Sequence, residues 1–393
     1  MNLTASRLPA NAQEILDRRF PFSKRLAEAK QEPLPSQLSW YPYDSMASID
    51  HITPFLQRHF VEFDRAFRAG PVIDFGCGDG DIPLFFASLG CTVAAADNPP
   101  SNHNWMAGLR AVSERLNLPV PIYELDADYA TELPGAPYGL AFSLGVLYHL
   151  KNPYLALETL ANHSRYCVLS TRVADLTKAG LPIKDEALAY LLDHRETNDD
   201  PTNQWIFSPA GLDRLVKRSG WRIIDQLTRG CTQASNPIDL DKDARKFMFM
   251  RSRKLSAPAT VRLLEGWTEV TELKWAWTLK RFSFEATLLE SLRPRRFSLQ
   301  FVIPDVIAAA SPVVKISCAI NGQTVGTQTY SGRNERYFEA DLPSGNDGAK
   351  PMHFEFTVDH SFKPVGDLRE LGIIIPFDGA VRGTSEKFNF WLD

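Results

Sequence analysis

The chain runs to 393 residues, more than one hydrophobic core comfortably organises, and so predicts two domains. Forty-three basic and forty-seven acidic residues leave a formal net charge of -4, with 23% of residues charged and 44% hydrophobic. That balance excludes a disordered or fibrous chain and gives no support to a general nucleic-acid binder.

The first seventy residues predict helix, interrupted at Pro21, Pro33, Pro35 and Pro42, around the aromatic segment Trp40-Tyr41-Pro42-Tyr43-Asp44-Ser45. A further helix carries Phe55, Phe60 and Phe63, and this region, 1–70, is expected to form a cap over a ligand site. At Pro71 the pattern changes. Val72-Ile73-Asp74-Phe75 reads as a buried strand, and a glycine-rich turn leads into a helix near 82–89. Strands at 92–96, 122–125, 138–144 and 166–170 then alternate with helices, the first with Met106, Leu109, Val112 and Leu116 on one face, the second at 153–163. Short strands alternating with longer helices predict an α/β domain with a mostly parallel, Rossmann-like sheet. A helix at 207–220 and strands at 221–227 and 246–251 complete it, so the domain is expected to span 71–254.

Residues 255–275 read as a connector. Beyond them helical patterning is nearly absent, and strands are predicted at 282–287, 297–303, 313–320, 337–340, 352–359, 371–375 and 388–392. Asn321-Gly322 is a hairpin signal. In 352–359, Met352, Phe354, Phe356 and Val358 alternate with His353, Glu355, Thr357 and Asp359, which buries one face and wets the other. A C-terminal all-β sandwich domain, 276–393, is expected. Five scattered cysteines, never in CxxC spacing, argue against a disulfide scaffold or structural zinc and for a reducing compartment, so a cytoplasmic location is expected. The start of the chain does not read as a signal peptide, and the longest apolar stretch, 82–96, is broken by Ser88, Gly90 and Thr92. No membrane span is expected. The eight histidines show no HxxxH or HExxH spacing, and no metal is expected.

The sharpest feature is Asp74-Phe75-Gly76-Cys77-Gly78-Asp79-Gly80, directly after the first strand. Gly76, Gly78 and Gly80 permit a tight turn and let backbone amides approach a ligand with no Cβ in the way. Asp97 ends the second strand, where a carboxylate accepts both hydroxyl hydrogens of a ribose. Asp126 follows the third strand, placed to receive an adenine amino group. The glycine loop alone leaves two cofactor classes open. A dinucleotide fingerprint wants GxGxxG, and acids close to a diphosphate would repel it. A cationic sulfonium bearing an amino acid suits them better, because its ammonium pairs with a carboxylate, so the site reads as one for S-adenosyl-L-methionine. No GxxxxGK[ST] loop is present, which leaves a P-loop nucleotidase unsupported.

Residues 71–170 resemble the class I S-adenosylmethionine-dependent methyltransferases. The resemblance implies that Asp74 opens the cofactor loop, that Gly76, Gly78 and Gly80 cradle the methionine portion, and that Asp97 holds the ribose. It places Asn98 beside that ribose, Asp126-Ala127 at the adenine turn, and Leu144 through His149 beside the methyl group. Gly145-Val146-Leu147-Tyr148-His149-Leu150-Lys151-Asn152-Pro153 is similar to the subgroup of the tRNA uridine carboxymethyl-transferring enzyme. Tyr148, His149 and Pro153 match, whereas Leu150-Lys151-Asn152 depart from its basic run, which counts against tRNA as acceptor. Residues 353–370 resemble accessory β domains found near bacterial glycosyltransferases and surface-polysaccharide enzymes.

Methyl transfer from a sulfonium needs alignment, exclusion of water and a proton acceptor when the acceptor atom is a hydroxyl or amine. His149 is the candidate base, with an ordinary pKa near neutrality, and Tyr148 reads as a wall of the methyl channel. Loops at this end of such a sheet form substrate pockets. Arg172, Asp175 and the cluster His194-Arg195-Glu196-Thr197-Asn198-Asp199-Asp200 lie there, so Arg172, His194, Glu196 and Trp205 are candidate acceptor contacts. Tyr43, with Trp40 and Asp44, is expected to fold over the cofactor. Ser208 before Pro209 reads as a helix cap. Trp275, Trp277 and Trp391 are sugar-stacking candidates or core residues. The expected activity is methyl transfer to oxygen or nitrogen of a small-molecule or carbohydrate acceptor, with the β domain recognising the acceptor, a partner or a second subunit. Two alternatives stand beside it: methyl or carboxymethyl transfer to tRNA, which needs a cation near the methyl to hold the added carboxylate, and a non-catalytic carbohydrate-binding or assembly module.

Overall fold

Val72–Phe75 is buried at every position, and an apolar run with no wet face demands cover on both sides. The structure, a computed structural model, describes residues 8–197, 200–255, 259–268, 275–288, 294–332, 335–343, 350–366, 368–377 and 389–392. They form two compact units, residues 1–255 and 256–393.

The first unit opens with helices α1 (Ala12–Ala29), α2 (Ala47–Arg58) and α3 (Phe60–Ala69). Strand β1 (Val72–Phe75) and helix α4 (Asp81–Ser88) precede β2 (Val93–Asp97), α5 (Ala107–Arg115), β3 (Ile122–Glu124) and β4 (Tyr138–Leu144). Helix α6 (Pro153–His163), β5 (Ser164–Val173), β6 (Ala189–Leu191), β7 (Trp205–Phe207), α7 (Pro209–Arg218), β8 (Trp221–Gly230) and β9 (Ala244–Ser252) complete the unit. Strands β3-β2-β1-β4-β5 run parallel in that order, then β9 pairs antiparallel with β5 and β8 with β9. The parallel strand ends therefore face one way, and the order reverses beside β1, which places the glycine loop at the switch point.

Pro21 does not interrupt the first helix but sits inside α1. Ile15, Phe22 and Leu26 bury one stripe of that helix, and burial of such a stripe outweighs the roughly 3 kcal/mol that an internal proline costs. Helices α2 and α3 are more than a cap: Phe63 stacks on Phe249 of β9 with ring centroids 4.4 Å apart, and Phe55 lies 6.4 Å from the same ring. They share one core with the sheet. The segment between β5 and α7, expected as a polar loop, contains β6 and β7, which pair with each other while Phe207 adds to the end of β5. Ser208 caps α7, its hydroxyl accepting from the Gly211 N–H at 3.0 Å. No described helix is long and apolar enough to cross a membrane.

The second unit has strands β10 (Ala259–Leu263), β11 (Trp275–Leu279), β12 (Arg281–Leu288) and β13 (Arg296–Val302), a short helix α8 (Asp305–Ala310), and strands β14 (Val314–Ile320), β15 (Gln323–Tyr330), β16 (Glu335–Asp341), β17 (Met352–Val358), β18 (Leu371–Pro376) and β19 (Phe390–Leu392). One antiparallel sheet runs β10-β12-β17-β14-β15, the other β11-β18-β13-β16 with β19 beside β13. Both sheets feed one core, in which Phe297 meets Phe354 edge-on at 5.0 Å. Residues 259–263, expected within a connector, are strand β10, because Val261 and its neighbours pair with β12 over five positions. Trp275 and Trp277 stand on one face of β11 while Ala276 between them is buried, and Trp277 packs on Phe362 at 5.5 Å. Residues 256–258 and 269–274 of the expected connector, with Phe388 and Asp367, lie outside the described residues.

Candidate functional site

The glycine loop closes the gap between β1 and α4 with Gly76, Gly78 and Gly80 all at positive φ. A Cβ on Gly76 would meet Val146 at 2.2 Å, so at that position a side chain is excluded by both backbone and neighbour. The Gly78 N–H donates to Asp97 Oδ2 at 2.8 Å, the Asn98 N–H donates to Asp97 Oδ1 at 2.8 Å, and Asn102 Nδ2 donates to Oδ2 at 2.9 Å. Three donors thus fix the Asp97 carboxylate at the end of β2. Burial pushes the Asp97 pKa up, and those hydrogen bonds work against the rise. Asp74 is 4% exposed. Its pKa is pushed well above the carboxylate range by burial first, then by Asp97 and Asp81, and no cation pairs with it among the described residues. A buried acid in that state favours a ligand that brings a positive charge.

Asp79 and Asp81, which the sequence reading left without roles, organise the loop. Lys30, at the end of α1, reaches Asp79 at 3.3 Å and Asp81 at 2.8 Å. Asp79 also accepts from the Tyr41 N–H at 2.9 Å and from Asn104 Nδ2 at 2.7 Å. These contacts draw residues 39–41 over the loop and set the Tyr41 ring 3.8 Å from where a Gly78 Cβ would stand. Burial pushes the Tyr41 phenol up to about 12, and the nearby Tyr148 and Tyr43 add to the rise. Tyr41 therefore covers the loop, while Tyr43 is 65% exposed and packs edge-on against it at 5.4 Å. Trp40 lies between Lys30 and Arg115, 5.7 and 5.4 Å from its ring centroid. The signal for this arrangement was an acid inside the glycine run and an aromatic triplet upstream.

At the end of β3, Asp126 is exposed and accepts from the Asp128 N–H, with Ala127 half-buried beside it. At the end of β4, Leu144 gives way to Gly145, and residues 147–149 form a short turn of 3-10 helix. His149 Nδ1 lies 2.9 Å from Thr202 Oγ1, and that hydroxyl donates to Asp200 Oδ1 at 2.6 Å. Since the hydroxyl hydrogen is directed to Asp200, the oxygen accepts from Nδ1–H, which leaves Nε2 with a free lone pair. Burial lowers the His149 pKa, Asp200 opposes the fall and Arg245 reinforces it. The imidazole is thereby held neutral and oriented.

The expected acceptor contacts divide. Arg172 does not present its guanidinium to the strand ends: its side chain is 3% exposed, pairs with Asp243 at 2.8 Å, and donates to the Asp239 carbonyl at 2.9 Å. Glu196 is held by Lys178 at 3.0 Å and by the Tyr190 hydroxyl, so it pins its own loop. His194 is exposed and pairs with Asp193 at 3.1 Å. Trp205 is half-buried in β7, and Asp175 accepts from Ser235 Oγ at 3.2 Å. Asn198 and Asp199 lie outside the described residues. Arg245 of β9, absent from the sequence reading, stands over Tyr148 with its Cζ 5.7 Å from the ring centroid. No spacing signal points to it, because only the pairing of β9 with β5 brings it there.

Residues 48–226 match a family model described as a methyltransferase domain. That span runs from α2 into β8 and takes in the glycine loop, Asp97 and His149. The match falls wholly within the first unit, whose fold is that of a methyltransferase domain. Solved structures similar to the chain include EvdMO1, at 12% identity over 88% of this chain and 99% of that chain with a TM-score of 0.38. The glycopeptide N-methyltransferase MtfA, complexed with S-adenosyl-L-methionine, is 16% identical over 48% of this chain and 84% of that chain with a TM-score of 0.31. An S-adenosylmethionine-dependent methyltransferase from Mesorhizobium loti is 18% identical over 47% of this chain and 95% of that chain with a TM-score of 0.32. No curated protein matches the chain.

Proposed function

We propose that the chain transfers a methyl group to an oxygen or nitrogen of a small-molecule or glycan-like acceptor, with His149 as the general base. The observation that carries this reading is the chain His149–Thr202–Asp200, which leaves one imidazole nitrogen unprotonated beside the end of β4. In this reading Asp74 pairs with the methionine ammonium, Gly76, Gly78 and Gly80 offer close backbone, and Asp97 with Asn98 holds the ribose. Asp126 and Ala127 border the adenine, while Leu144 and Tyr148 line the path to the methyl. The buried, unpaired Asp74 and the Cβ-free loop fit a cationic ligand of that shape. S-adenosylmethionine, when bound, supplies an activated methyl on a sulfonium. His149 Nε2 would take the proton that the acceptor O–H or N–H gives up when its own lone pair displaces the neutral thioether from the methyl carbon. Tyr41 and Tyr148 exclude water, so the proton goes to the imidazole. Alignment of these groups before the acceptor arrives would lower the barrier without any acid for the thioether.

Asp97→Ala tests the cofactor half of the reading. Hydrogen bonds to a charged group contribute about 1.5–3 kcal/mol each, so loss of two ribose bonds is expected to weaken S-adenosylhomocysteine by about 100-fold or more. Calorimetry, with the melting temperature recorded as a control for folding, checks it. Equal affinity in the folded variant would remove the ribose assignment.

A further inference from the structure

Strand β9 sets Arg245 directly opposite Arg172 of β5 on one side and Arg229 of β8 on the other. Directly opposed residues share a sheet face, so three arginine side chains rise from one face in a row across adjacent strands. Like charges placed this way cost stability. One carboxylate is seen to serve the row: Asp243 lies 2.8 Å from Arg172 Nε and 3.2 Å from Arg245 Nε. Arg172 is used up, because it is buried and its remaining N–H groups turn to the carbonyls of Asn236 and Asp239. Arg245 is different: its side chain is 40% exposed, and its Nη1 lies 3.6 Å from where a Gly145 Cβ would stand. Its fork therefore reaches the end of β4, the place to which the proposed function assigns methyl transfer. Arg229 is exposed, with no ion pair or hydrogen bond among the described residues.

We propose that Arg245 and Arg229 form a seat for an oxyanion, a carboxylate or phosphate, carried by the methyl acceptor. The inference rests on the methyl-transfer reading and adds the charge class of the acceptor to it. An arginine fork donates two parallel N–H bonds, which match the paired oxygens of either group. With the oxyanion on Arg245, the acceptor's nucleophile is tethered beside Gly145 and Tyr148, within the neighbourhood of His149. The second arginine neutralises the remaining charge of a phosphate, and the bound anion relieves the repulsion along the row.

The test titrates inorganic phosphate and malonate into the full chain saturated with S-adenosylhomocysteine, for wild type, Arg245→Gln and Arg229→Gln. Expected is saturable binding at one site, weakened at least tenfold in each variant, with S-adenosylhomocysteine affinity within twofold of wild type. Arg229 is exposed, so its variant keeps the measurement informative should Arg245→Gln fold poorly. Absent or variant-insensitive anion binding, with S-adenosylhomocysteine still bound, would sink the anion seat and leave the methyl-transfer reading standing. Failure of S-adenosylhomocysteine itself to bind removes both. An S-adenosyl donor bearing a carboxylate on the transferred carbon supplies the last arm. Tighter binding of that donor than of S-adenosylmethionine by tenfold, lost in Arg245→Gln, would put the anion on the donor and overturn the acceptor assignment.

Discussion

Replacing His149 with asparagine is expected to lower kcat/KM for methyl transfer by about 10²–10⁴-fold, the range over which a positioned proton acceptor acts, while S-adenosylhomocysteine affinity stays as in wild type. Asparagine keeps a polar group near Thr202 but has no nitrogen lone pair able to take a proton. The pH profile separates this role from a structural one. A base works only when neutral, so activity falls as pH drops through its pKa. Burial holds the His149 pKa below its ordinary value of 6.5, and the acid limb of wild-type kcat/KM therefore lies below pH 6.5. In His149→Asn that limb disappears along with most of the rate. A variant that keeps the full rate across neutral pH contradicts the assignment.

The second large effect is on stability. Lys30→Met is expected to destabilise the first unit by about 3–5 kcal/mol, the usual result of removing one partner from a buried ion pair. Asp79 and Asp81 are 1% and 3% exposed, and Lys30 is the cation both of them reach. For a domain of this size the loss corresponds to a fall in Tm on the order of 10 °C. Burial already raises the Asp81 pKa against the opposing charge of Lys30, so removing the lysine raises it further. The penalty is then present at neutral pH, where the Asp81 carboxylate is charged, and shrinks as pH falls and that carboxylate takes up a proton. Thermal melts of wild type and variant from pH 5 to 8 read this directly. A constant difference in Tm across that range would mean that packing of the lysine stem, and not its charge, supports the loop.

The parts of the fold written in local pattern were legible in the sequence. Strand β4 and helix α6 fall on their expected residues because a buried apolar run and a Pro at the helix start define them. Alternation in Met352–Val358 predicted its buried face. Strands β6, β7 and β10 were not legible: each is three to five residues long, too short for periodicity, and each is stabilised by a partner elsewhere in the chain. The same division runs through the site. Asp74, the glycines and Asp97, proposed as the cofactor contacts, stand out by contiguity with strands. Tyr41 and Lys30 are tied to the loop through Asp79, while Arg245 is brought near Gly145 by strand pairing. Those relations exist only once α1 and β9 have docked, and Arg172 was misread for the same reason: a cation near a strand end looks free until its carbonyl and carboxylate partners are in place.

The most direct measurement is a crystal structure of the chain with S-adenosylhomocysteine. The account predicts the amino group within hydrogen-bond distance of Asp74, both ribose hydroxyls on Asp97, and the sulfur turned toward Gly145, Tyr148 and the unprotonated nitrogen of His149. A ligand seated away from these strand ends, or a nicotinamide or flavin held there in its place, would contradict it.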